Sequence, residues 1–157
     1  MAFVVSGLPV AEFLPLFEMD DARLKALGIL RIKVDKNPGF PCRVTLQEAA
    51  LGETVLLMNF THHAVQTPFR SSYAIYIRES AQRTACLQNR LPEVFDNRCL
   101  SLRVFDANGM LIKGVLATEG LVVQNIETIF ENPDAAYIHA HNAAYGCFAA
   151  KIVPASL

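Results

Sequence analysis

Two apolar segments, Leu100–Phe105 and Leu111–Ala117, flank a stretch that begins Asp106-Ala107-Asn108-Gly109. Asn-Gly between such runs is the strongest short-range hairpin signal, because a type I′ turn needs positive φ at two successive residues. Strands joined this closely pair antiparallel. The same pattern continues on both sides. Short runs rich in β-branched and aromatic residues stand at Phe3–Ser6, 55–60, 73–78, 137–141 and 148–153. Leu30, Ile32 and Val34 alternate with Arg31, Lys33 and Asp35, a period of two that marks a strand with one solvated face. Pro38-Gly39-Phe40-Pro41 interrupts regular structure, since neither proline has an N–H to donate.

Two segments read as helices. Residues 19–27 begin with Asp20, whose carboxylate can accept an orphan N–H of the first turn. Met19 and Leu24 stand where a hydrophobic staple would join, and Gly28 can take the left-handed conformation that ends a helix. Residues 121–130 carry Val122, Val123, Ile126, Ile129 and Phe130 at helical spacing, stopped by Asn132-Pro133. The order lacks the strand–helix alternation of a doubly wound fold. The expected class is therefore α+β, a mostly antiparallel sheet with two main helices. With 157 residues and no linker or repeat, a single domain over 1–157 is expected.

Composition narrows the function classes. Fourteen Lys+Arg against 15 Asp+Glu leave a net charge of −1, which argues against a nucleic-acid binder needing a basic surplus. The hydrophobic fraction of 52% excludes a disordered chain. No apolar run approaches the roughly 20 residues that span a bilayer. The first residues lack the basic start of a secretory signal. Cys42, Cys86, Cys99 and Cys147 are scattered without a C-x-x-C pair, which suits a reduced cytoplasmic chain.

Polar groups capable of chemistry interrupt the apolar strands. In His139-Ala140-His141-Asn142 the two histidines are two apart, so on a strand both imidazoles share a face. They are candidate acid–base groups, and candidate metal ligands if further donors join them. His62 and His63 are candidate donors, but adjacent strand residues point oppositely, so only one is expected to reach a given site. Cys147 is another donor if the closing hairpin folds it back. Cys42, beside Arg43 in a rigid loop, has the ingredients of a nucleophile. Arg43, Arg70, Arg78 and Arg103 lie in or beside strands, and Arg suits bidentate recognition of carboxylate or phosphate. Arg70, with Ser71 and Ser72 after it, could line an anion pocket. Arg43, Arg70, Arg103 and Asn142 are the candidate ligand-binding residues. The plain alternatives are hydrogen-bonded histidines on a polar sheet face, a buried Cys42, and arginines paired with Asp96, Asp106 or Glu79.

No phosphate-binding P-loop, dinucleotide fingerprint, H-E-x-x-H or G-x-S-x-G motif is present. The stretches 38–46, 52–57, 67–72, 74–79, Leu102-Arg103, Phe105-Asp106, 139–143 and 146–150 resemble the bacterial family catalogued as domain of unknown function 1203. Tyr73 stands where that family commonly has His. The resemblance implies a small bacterial protein and no particular reaction, substrate or cofactor.

Two functions compete. One is a binding protein or enzyme for a small, anionic molecule, with a His/Arg-lined pocket. The other is a non-catalytic interaction module or homo-oligomeric structural protein, consistent with the high apolar fraction. Convergence of His139, His141, Arg70 and Arg103 in one concavity favours the first; their scatter favours the second.

Overall fold

The computed structural model describes residues 1–155. Its fold is α+β, built on two antiparallel sheets. The strands are β1 (Phe3–Ser6), β2 (Leu30–Lys33), β3 (Thr54–His63), β4 (Ser71–Arg78), β5 (Cys86–Gln88), β6 (Leu100–Phe105), β7 (Leu111–Ala117), β8 (Tyr137–Asn142) and β9 (Phe148–Pro154). The larger sheet runs β5-β1-β9-β8-β6-β7, and the smaller runs β2-β3-β4. Three α-helices are described: α1 (Leu14–Phe17), α2 (Asp21–Ala26) and α3 (Val122–Phe130). No helix among the described residues is long and apolar enough to cross a membrane.

Local chemistry explains most of these elements. Asp20 caps α2, its carboxylate accepting the Arg23 N–H at 2.8 Å, and Gly28 follows at φ +75°. Helix α3 buries Val122, Ile126, Ile129 and Phe130 against Leu100, Leu102, Val104, Ile138, Ala140 and Ile152. Val123 is left exposed, so the buried stripe is narrower than the apolar spacing suggested. The β6–β7 turn also departs from expectation. Gly109 has φ +81°, but Asn108 does not have positive φ, so no type I′ turn forms. The Asp106 carboxylate instead accepts the N–H groups of Asn108 and Met110, at 2.8 and 2.9 Å. This local carboxylate bond stabilises a longer turn with a register shift between Val104 and Phe105.

The face of the larger sheet opposite α3 packs towards the smaller sheet. Leu8, Phe13, Cys42, Val44, Ile75, Ile77, Ala81 and Phe148 form a second core there. The segment around Arg43 is threaded between the sheets by main-chain bonds. Arg43 N–H donates to the Tyr76 carbonyl at 3.0 Å, and the Arg43 carbonyl accepts from Leu8 N–H at 2.8 Å. Gly7 makes that approach feasible, because a Cβ there would lie 2.1 Å from the Val44 carbonyl oxygen. A Gly7→Ala change is expected to destabilise the fold by roughly 3 kcal/mol, since backbone must move. Urea denaturation checks this; a loss under about 0.5 kcal/mol would show that the two segments can separate without cost.

Candidate functional site

Directly opposed residues of an antiparallel sheet share a face. The register therefore draws a polar row across the larger sheet: Ser6 opposite Lys151, Lys151 opposite His139, His139 opposite Arg103. On the reverse face of these same strands lie Val5, Ile152, Ile138 and Val104, in the α3 core. The H-x-H spacing thus puts both imidazoles of β8 on the face turned towards the smaller sheet.

All four histidines gather there. The His62 ring lies 5.0 Å from His141 and 6.1 Å from His139, and His63 lies 4.9 Å from His139. The expectation that only one of His62 and His63 reaches a given site is incorrect. Phe60 pairs with Tyr73 but His63 pairs with Ser71, so β3 carries one extra residue in a bulge. A bulge breaks the alternation of side chains and re-aims them. His63 is fixed at both nitrogens: Nδ1–H donates to the Phe69 carbonyl at 2.8 Å, and Nε2 accepts from the Tyr137 hydroxyl at 2.7 Å. His141 Nδ1–H donates to the Gly146 carbonyl at 2.9 Å. The Nδ1 atoms of His62 and His139 are buried without a hydrogen-bond partner among the described residues. Beside the cluster is a cleft of about 450 Å³, lined by His62, His63, His139, Tyr137, Lys151 and Glu12 among others.

Three of the imidazoles, those of His139, His141 and His62, are held neutral. Burial, with the neighbouring His63, His141, His62 and Lys151, pushes His139 down to about 2. Burial pushes His141 to about 3, with Arg103, His62 and Arg43 acting the same way against its Gly146 bond. Burial, Arg103 and His63 bring His62 to about 4. A general base works best with a pKa near the operating pH, so these groups are weak proton acceptors at neutrality. No group of three or more His, Cys, Asp or Glu among the described residues is placed to hold an ion. His63 spends both nitrogens on hydrogen bonds, and Cys147 turns to Arg43.

Arg43 forms the second polar centre. It is 4% exposed, and no carboxylate among the described residues pairs with it. Its Nε has no hydrogen-bond partner, and its Nη2 lies 3.3 Å from Cys147 Sγ. Burial pushes the guanidinium below its ordinary value, with the Cys147 sulfur opposing that shift. Arginine nevertheless stays protonated in proteins. Arg43 lines a cleft of about 430 Å³ with Lys36, Arg98, Asn142, Cys147 and Tyr73 among others. Arg98 is paired there, its Nη2 lying 2.6 Å from the Glu48 carboxylate.

A family model described as a protein of unknown function (DUF1203) matches residues 39–153. The chain belongs to this family. No curated protein and no solved structure matches it. The DUF1203 span contains all four histidines, Arg43, Arg98, Arg103, Asn142 and Cys147. Outside it lie Lys36 at one cleft and the 6–12 segment at the other.

Among the sequence candidates, Arg43 and Asn142 meet in one cleft, and His139 and His141 join His62 and His63 in the other cluster. Arg103 is half-buried beside the histidines, its charge bearing on His62 and His141. Arg70 is exposed and lines neither cleft. Its N–H closes a turn onto the Thr67 carbonyl, and Ser71 Oγ bonds the Phe69 carbonyl, so the expected anion pocket is not built there. Arg78 pairs with Glu53 at 2.9 Å. Cys42 is 0% exposed, its Sγ accepting N–H bonds from Thr45 and Arg78. It is a packing residue out of reach of any substrate, which removes it as a nucleophile. Lys36, Arg98 and Lys151 were missed. Lys151 had a signal, as the one charge within the apolar run 148–153; Arg98 had none.

Proposed function

We propose that this protein binds a small anionic molecule, a carboxylate or phosphate, in the Arg43 cleft. The carrying observation is a guanidinium that is almost wholly buried yet has no carboxylate and an idle Nε–H. Burying a charge is costly unless it is paired, so a bound anion is the natural partner. Arginine offers a planar fork that fits such groups two bonds at a time. Lys36 adds positive charge, and Asn142 and Tyr73 add hydrogen-bonding groups at the same cleft. The cleft, and not the histidine cluster, carries this reading, because Arg43 is charged whereas His139 and His141 are neutral. We also assign the protein to the bacterial cytoplasm, on the strength of four free thiols and the family resemblance.

A thermal-shift panel of phosphate, sulfate and small carboxylates, at constant ionic strength against chloride, tests the reading. At one hundred times Kd, an anion that binds only the folded state adds about 2.7 kcal/mol. For a chain of this size that raises Tm by roughly 5–10 °C. If no anion moves Tm beyond the chloride control, the reading is wrong.

A further inference from the structure

We propose that Cys147 is a nucleophilic thiol that attacks the electrophilic carbon of an anionic small molecule docked on Arg43. The inference rests on the anion-binding reading and adds to it the atom that forms a bond. The four cysteines differ in what surrounds them. Cys42 is enclosed, and Cys86 and Cys99 are exposed but line neither cleft. Cys147 is half-buried and opens into the cleft that holds Arg43.

The geometry couples the two residues. Nε and Nη2 form one edge of the guanidinium. Nη2 meets Cys147 Sγ at 3.3 Å, and Nε is without a partner. Nε is enclosed, so an oxyanion in the cleft accepts from the Nη2 end of the guanidinium, beside the sulfur, and the rest of a small molecule must pass close to it. The sulfur is also held in place. Cys147 sits at the end of the β8–β9 turn, where its carbonyl accepts the Asn142 N–H at 2.9 Å. In the same turn Gly146 N–H donates to the Asn142 carbonyl at 2.7 Å, and the Gly146 carbonyl takes the His141 Nδ1–H. A fixed nucleophile beside a fixed anion anchor converts a collision into an oriented encounter.

In the bond-forming step, sulfur supplies the electron pair for a new S–C bond. The leaving group departs with the pair of the bond that breaks, and the thiol proton passes to water. The substrate class is a small alkyl or acyl electrophile bearing a carboxylate or phosphate.

Iodoacetate and iodoacetamide test this directly. They alkylate the same thiolate, displacing iodide, but only iodoacetate carries a carboxylate. Their rate ratio at one cysteine therefore cancels that thiol's own protonation. Peptide mass spectrometry follows Cys147 with Cys86 and Cys99 as internal references. The iodoacetate-to-iodoacetamide ratio is expected to be about tenfold higher at Cys147, equivalent to roughly 1.4 kcal/mol of anion guidance. Inorganic phosphate should suppress it in the wild-type protein, and Arg43→Met should bring it to the reference level. A ratio equal to that of Cys86 and Cys99, or one indifferent to both phosphate and Arg43→Met, overturns the proposal. If phosphate raises Tm in an Arg43-dependent way while Cys147 shows no preference, the nucleophile falls and the anion site stands. If neither effect is seen, both fall.

Discussion

Lowering the pH from 7 to 4.5 is expected to unfold this protein, with most of the loss below pH 6.5. Three histidines are responsible. His139, His141 and His62 are held neutral at about 2, 3 and 4 in the folded chain, against an ordinary 6.5. Between 6.5 and those values the unfolded chain takes up protons that the folded chain refuses. Their contribution is therefore fully present above about 6.5 and falls as pH drops, levelling off below the folded values. Each fully buried group steepens the fall by up to about 1.4 kcal/mol per pH unit. His62, partly open to solvent, contributes less. Roughly 3 kcal/mol per unit between pH 6 and 5 is the expected slope, set against a typical total of about 5–15 kcal/mol. Urea titrations at pH 7, 6 and 5 measure it. His139→Phe, placed among Phe105, Phe148 and Tyr137, should lessen the slope by about one histidine's share. A slope below about 1 kcal/mol per unit, or one unchanged in that variant, would mean the imidazoles are reached by water.

Replacing Arg43 by methionine is expected to make the protein more stable while ending anion binding. A buried charge without a partner is a standing cost, and a hydrophobic side chain of similar length removes it. The expected gain is about 1–3 kcal/mol, which corresponds to a Tm rise of several degrees. Equal urea m-values in the two proteins would show that the gain lies in the folded state. A less stable Arg43→Met variant would contradict the account, since it would mean the guanidinium is already satisfied by its surroundings. The combination matters more than either half. Loss of binding alone is what any damage to the cleft produces, whereas loss of binding with a gain in stability marks a residue kept for its ligand.

Local features were the legible part of this chain. The Asp20 cap, the apolar stripe of α3 and the shared face of His139 and His141 each depend on residues within a few positions of one another. Local reasoning fails at two points, at Val123, which is exposed, and at Asn108-Gly109, where the Asp106 carboxylate replaces the type I′ turn. The larger departures are effects of the third dimension. The bulge that turns both His62 and His63 inward depends on how β3 pairs with β4, which spacing along β3 does not reveal. Sequence adjacency pointed to Cys42 as the thiol beside Arg43. Neighbouring residues in an extended segment point apart, and the sulfur that meets the guanidinium comes from Cys147, 104 positions away. Arg70 looked like a site residue because hydroxyls follow it, yet those groups serve their own turn. Lys36 and Arg98 come to the cleft through long-range contacts of the 36–48 segment, where Cys42 bridges to Tyr76 of β4 and Glu48 holds Arg98.

The most direct test of the central claim is a crystal of the wild-type protein soaked in tungstate, a strongly scattering mimic of phosphate and sulfate. The account predicts an anomalous peak in the cleft lined by Arg98, Asn142 and Cys147, placed so that tungstate oxygens accept hydrogen bonds from the Arg43 guanidinium. A cleft without a peak, with tungstate bound elsewhere on the protein, would contradict it.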